Sequence, residues 1–196
     1  FISILVMTTL MMGVFIKKSF KLVYYSTITG LIFSIVLAFN QIDENHKIFN
    51  NSFIIDNFSI FMKILTLSFC VFILIFSKDY LKKNNIDKIE YPIIILSATL
   101  GMMIMISSYD LIIFYLGLEL QSLSLYILAS FKRDDEKSTE AGVKYFVLSA
   151  LASGLLLYGC SLIYGFTGST NFEIIKTNLI AANTGAVFGI VFIIVA

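Results

Sequence analysis

Apolar residues run in long blocks along this chain, and most charged residues gather between them. Seven blocks stand out, at 1–16, 22–40, 58–77, 92–108, 111–131, 139–164 and from about 180 to the last residue, 196. A helix needs about 20 residues, rising 1.5 Å each, to cross a hydrocarbon core of roughly 30 Å. The first block is short for a crossing, the next five fit, and the seventh stops before it could span. The pattern predicts an all-α, polytopic transmembrane helix bundle with about six complete spans and the start of a seventh. Residues 1–196 form one membrane domain, expected to be truncated or split within helix seven.

The loops predict an orientation. Lys17, Lys18 and Lys21 follow the first block, Lys78, Lys82, Lys83 and Lys88 the third, and Lys132, Arg133 and Lys137 the fifth. The alternate loops hold only Lys47 and Lys176. Under the positive-inside rule the basic loops face the cytoplasm or matrix, which puts the N-terminal residue outside. The first block lacks the basic leader and small-residue cleavage site of a signal peptide. Ser138 or Thr139 is expected to cap the sixth helix, with Glu140 complementing its dipole, and Pro92 suits the start of the fourth.

Composition agrees with a membrane protein and narrows the chemistry. Hydrophobic residues make up 58% of the chain and charged ones 14%, with a mean hydropathy of +0.91. A soluble domain of this size carries more polar surface. The net charge of +1 gives no reason to expect a nucleic acid partner, so the lipid bilayer is the first partner expected. Cys70 and Cys160 lie in apolar blocks and read as small buried thiols. The single histidine, His46, lies in a loop, and no zinc, heme or iron–sulfur spacing is present. No metal site, cofactor or redox centre is expected in this chain.

The informative residues are the charges inside apolar blocks. An ionisable group in hydrocarbon costs at least about 2.5–3.5 kcal/mol, so it needs a partner or a hydrated cavity. Glu119 lies about 12 residues, or 18 Å, from the inner end of its helix, near mid-membrane. Burial penalises a charged carboxylate and favours proton exchange. The structural alternative is a protonated Glu119 hydrogen-bonded to a neighbouring helix. Lys144, about a turn and a half inside the sixth helix, reads as a relay member or as a lysine snorkelling to the interface. By helix rise it stands roughly 10 Å from Glu119, too far for direct pairing. Lys63 reads as a snorkelling residue near the outer interface. Glu90 is an interfacial anchor or a functional acid. Gly142, Ala150, Ala152, Ser153, Gly154 and Gly159 read as a packing surface on the sixth helix.

Two stretches carry a resemblance. DLIIFYLGLELQSLSLY at 110–126, followed by STEAGVKYFVLSALASGLLLYGCSLIYG at 138–165, closely resembles NADH dehydrogenase subunit 2. This is one of the antiporter-like membrane subunits of respiratory complex I. The likeness is strong over 90–168 and looser before that. It implies that the helices belong to the first inverted repeat of an antiporter-like fold, and that Glu119, Lys144 and Glu90 take part in proton transfer. It also implies a subunit of H+-translocating NADH:ubiquinone reductase, without redox chemistry of its own, in the mitochondrial inner membrane or a bacterial plasma membrane. The implied partners are other membrane-arm subunits, with subunits 4 and 4L foremost, and a second chain supplying the rest of the fold. That remainder would include the helix-seven lysine that pairs with the fifth-helix glutamate. Two other readings stay open: a subunit of a multi-subunit cation/proton antiporter or membrane-bound hydrogenase, and a structural bundle without its own proton path.

Overall fold

The computed structural model describes residues 1–16, 20–41, 46–84, 86–179 and 184–196. Lys17 and Lys18, named above in a loop, and position 180, given as the approximate start of the seventh block, lie outside them. The helices are α1 (Ile2–Phe15), α2 (Phe20–Phe39), α3 (Asn57–Lys83), α4 (Glu90–Ser107), α5 (Leu111–Ala129) and α6 (Glu136–Thr167). After them come a short α7 (Phe172–Leu179) and α8 (Thr184–Val195). Among the described residues, α2 to α6 are long and apolar enough to cross a membrane. The 14 residues of α1 reach only about 21 Å, and α8 has 12 residues.

The helix ends have local causes. Asp56 starts α3 with a capping box: Ser59 N–H donates to its carboxylate at 2.8 Å, and Asp56 N–H donates to Ser59 Oγ at 3.0 Å. Asp110 caps α5 by accepting from Ile112 N–H at 2.9 Å. Gly168 ends α6 with φ 73°, the left-handed turn that glycine adopts at low cost. The expected start of α6 is corrected. Its N-cap is Asp135, three residues before Ser138, so Glu136 rather than Glu140 occupies the first turn. Ser138 Oγ instead donates to Ala129 O at 2.9 Å, tying α6 to the end of α5.

α4 stands at the centre and touches α1, α2, α3 and α5; α6 packs on α5 and α8. One apolar core joins α1 to α4 around Tyr24, Leu31, Leu67, Leu74 and Leu96, all at most 1% exposed. Tyr24 donates its hydroxyl to Leu74 O. A second core joins α5, α6 and α7 around Leu111, Leu156, Cys160, Ile163 and Ile175. Large apolar side chains cover the outside, Phe15, Phe76 and Leu148 among them, as lipid-facing helices require.

Two elements had no forecast in the apolar blocks. A hairpin of β1 (His46–Ile48) and β2 (Phe53–Ile55) pairs antiparallel between α2 and α3. Its turn passes through Phe49, Asn50 and Asn51, all with positive φ. The hairpin continues into a strap across this end of the bundle. Phe53 bridges to Ser108, and Asp110 bridges to Asn171. Tyr109 N–H donates to Ser52 O and Leu111 N–H to Thr170 O, each at 2.8 Å, and Thr170 Oγ1 donates to Asp110 at 2.5 Å. Lys47 pairs with Glu173 at 2.8 Å and lies 4.7 Å from the Tyr109 ring centre. The pairing holds the Glu173 carboxyl below its usual range and pushes the Lys47 ammonium above its own. At the opposite end, Lys21, Lys82, Lys88 and Arg133 lie together around the helix ends.

Candidate proton-transfer site

The site is built on the crossing of α4 and α5. Two glycines let these helices meet backbone to backbone. A Cβ on Gly101 would stand 2.6 Å from Gln121 N and 2.7 Å from Gly117 O. One on Gly117 would stand 2.8 Å from Met105 N and 3.0 Å from Gly101 O. Reciprocal small residues allow such close approach between membrane helices. Glu119 follows Gly117 by two residues, so its position relative to α4 is fixed by this contact.

Glu119 is half-buried, and its Oε1 is sealed from solvent without a hydrogen-bond partner among the described residues. Such an atom normally finds a partner, because an unsatisfied buried polar group costs about 1–3 kcal/mol. Tyr115, one turn earlier on the same face, packs against the α6 core with Cys160.

The two other candidate residues stand apart from Glu119. Lys144 is paired with Glu140, one turn before it, on an exposed face of α6. Tyr126 packs its ring edge-on against Tyr145 at 4.8 Å and Phe146 at 5.8 Å, which fixes the register of α5 against α6. Lys144 therefore lies level with Tyr126, about 11 Å along the helix axis from Glu119. Glu90 is exposed in the first turn of α4. Measured from Gly101, which crosses α5 beside Glu119, it stands about 16 Å away along the axis. The three residues are thus spaced between the basic end of the bundle and its middle, and among the described residues no hydrogen bond or ion pair joins them.

Two polar features escaped the sequence reading. Glu140 is the partner of Lys144, and its signal was the Glu-to-Lys spacing of four on one helix face. Among the described residues, Ser107 Oγ is, in addition to Glu119 Oε1, a sealed side-chain oxygen without a hydrogen-bond partner. It lines a crevice of about 370 Å³ near the hairpin end together with Lys63, which is half-buried. Only the three-dimensional placement of α4 brings those two together. Among the described residues no three His, Cys, Asp or Glu side chains are arranged to hold a metal.

Residues 108–196 match the family model described as NADH:quinone oxidoreductase/Mrp antiporter, transmembrane. The whole chain is 55% identical to NADH-quinone oxidoreductase subunit N of Pelagibacter ubique, of which it covers 42%. It is 48% identical, over 96% of its length, to subunit N of Parvibaculum lavamentivorans, of which it covers 40%. The chain thus spans about two fifths of the relatives it matches. Its fold is similar to a chain of respiratory complex I from Thermus thermophilus, with a TM-score of 0.81 and 23% identity, covering 99% of this chain and 41% of that one. It is similar also to a chain of an archaeal membrane-bound sulfane sulfur reductase, with a TM-score of 0.84 and 21% identity, over 98% of this chain and 42% of that one. A chain of the Mrp complex from Dietzia gives a TM-score of 0.79 at 20% identity, over 100% and 39%.

Proposed function

We infer that this chain, which belongs to the antiporter-like membrane subunits of the NADH:quinone oxidoreductase type, contributes part of a proton path in a proton-pumping NADH:quinone oxidoreductase. The energy would come from quinone reduction elsewhere in the complex, and this chain would carry no redox step. The carrying observation is the sealed Glu119 oxygen at the α4–α5 crossing, without a hydrogen-bond partner among the described residues. An ionised carboxylate there is costly without a nearby cation, so its protonation state follows the approach or withdrawal of positive charge. Glu119 takes the central step, and Lys144 and Glu90 relay protons between it and the basic end. Axial gaps of about 11 and 16 Å exceed any hydrogen bond, so hydrated side chains must bridge them.

The partners in this reading are other membrane-arm subunits, subunits 4 and 4L foremost. The relatives are bacterial, which supports the plasma membrane over the mitochondrial inner membrane. The fold alone does not select among related machines, since an Mrp chain and a sulfur reductase chain share it. The level of identity with subunit N over the full chain favours the respiratory reading over an antiporter or hydrogenase subunit.

The test pairs isolation with mutation. The native membrane is solubilised gently, and the chain is followed by its migration. Co-migration with a large complex that oxidises NADH and reduces quinone is expected; a small complex without NADH activity would favour the antiporter reading. In the assembled complex, Glu119→Gln should leave assembly intact and lower proton pumping coupled to NADH oxidation. Undiminished pumping in that variant would remove Glu119 from the path.

A further inference from the structure

A crevice of about 620 Å³ in the bundle is separate from Glu119. It lies at the basic end, between the C-terminal half of α1, the start of α4 and the end of α5. Leu10 and Val14 form one wall, Ile93 and Ile94 the second, and Ile127 the third. Lys88 and Arg133 line the same crevice beside Glu90. Next to it, a second recess shares Lys88 and Glu90 and adds Lys21, Lys82 and Asp87. The two recesses thus bring four cations against two carboxylates. Among the described residues none of these four cations joins an ion pair.

We propose that this crevice seats one anionic phospholipid, its phosphate between Lys88 and Arg133 and an acyl chain along the α1–α4–α5 walls. Three observations select that occupant. The rim carries uncompensated positive charge, and basic pockets between membrane helices on the cytoplasmic side suit anionic headgroups. The walls on α1, α4 and α5 are aliphatic, formed by Leu10, Val14, Ile93, Ile94 and Ile127. Finally, the lip is open sideways: Val14 is 70% exposed and Ile127 53%. A ligand entering from the bilayer meets an apolar groove that ends in cations, which fits an amphiphile better than a free anion. Guanidinium and ammonium together give the phosphate both a fork and a point charge.

The test counts lipids in the native complex that contains this chain, so it does not depend on what that complex does. Complexes are purified in mild detergent, and bound phospholipids are extracted and identified by mass spectrometry. The variants are Lys88→Gln with Arg133→Gln, the exchange Lys88→Arg with Arg133→Lys, and Val14→Trp, which fills the groove without touching charge. The wild type and the charge-retaining exchange are expected to keep one anionic phospholipid that the double Gln variant and Val14→Trp both lose. Zwitterionic lipid counts should stay level. Thermal stability supplies a second readout. Phosphatidylglycerol added to delipidated complex should raise the melting temperature in wild type and not in the double Gln variant. Phosphatidylcholine should do neither. Equal anionic lipid counts in all variants would overturn the proposal. So would an equal melting shift from inorganic phosphate, which marks a plain anion site, or retention in Val14→Trp, which places the lipid elsewhere.

Discussion

The α4–α5 crossing makes one substitution predictable in sign from one glycine to the next. At Gly101 an added methyl group would meet Gln121 N at 2.6 Å and Gly117 O at 2.7 Å, both backbone atoms that cannot turn aside. Restoring ordinary contact needs α5 to retreat by roughly 0.8 Å, and a gap of that size forfeits a quarter to a half of the dispersion energy at an interface. Overpacking of this kind costs about 1–3 kcal/mol. Gly117→Ala strains the same contact from the other side, so the pair should not add. Once one methyl has parted the helices, the second meets less resistance, and a coupling of about 0.5–3 kcal/mol is expected. Gly154 is the control, because a Cβ there meets nothing within 4 Å. Gly154→Ala should be neutral or stabilise α6 by up to about 1 kcal/mol through helix propensity alone. Thermal unfolding of the purified complex, read with a reporter on this chain, measures all four variants. Gly101→Ala melting as high as Gly154→Ala would refute the backbone-to-backbone contact, and strict additivity of Gly101→Ala and Gly117→Ala would refute the shared one.

Other expectations follow from the ends of the helices. The Lys47–Glu173 pair has a defined pH window. The Glu173 carboxyl lies below its usual 4.5, so its contribution is full above that value and lost as pH falls through the lowered one. The Lys47 ammonium lies above its usual 10.5, so its contribution is full below that value and lost only as pH rises through the raised one. Protease nicking of the strap should therefore be flat between those limits in wild type and lose that acid dependence in Glu173→Gln; an unchanged acid limb would count against the pair. Asp56→Ala removes the α3 capping box and should cost about 0.5–2 kcal/mol, read as earlier thermal unfolding, with Asp56→Asn recovering most of it. Glu140→Gln breaks an exposed pair and should change stability by less than about 0.5 kcal/mol. A larger loss in the same melt would show that Glu140 is buried in the working complex.

The apolar blocks located α2 to α6 to within a few residues, apart from the ends of α3 and α6. Those two helices run on past the hydrocarbon length through Lys78 to Lys83 and from Glu136, where the residues are polar but still good helix formers. Hydropathy marks what lies in lipid and is silent on helix that emerges into water. The hairpin was illegible for a different reason. Strands of three residues have little propensity of their own, and β2 is held by Ser108 and the strap, partners more than fifty residues away. Glu119 was legible because depth alone makes a carboxylate conspicuous. The Gly101–Gly117 contact was not, since two glycines on two helices announce no partner until the register between those helices is fixed.

The strap also bears on how the bundle is made. It joins residues 46–55, 108–110 and 170–173, three loops separated by two helices each. A chain emerging from its N-terminus delivers these loops to the same side of the membrane when both helices between each pair have crossed. One helix left uncrossed strands a loop on the wrong side, where it has neither Ser52 nor Asn171 to bond. Closure of the strap is thus a parity check on insertion, read out in backbone hydrogen bonds after α6 has crossed.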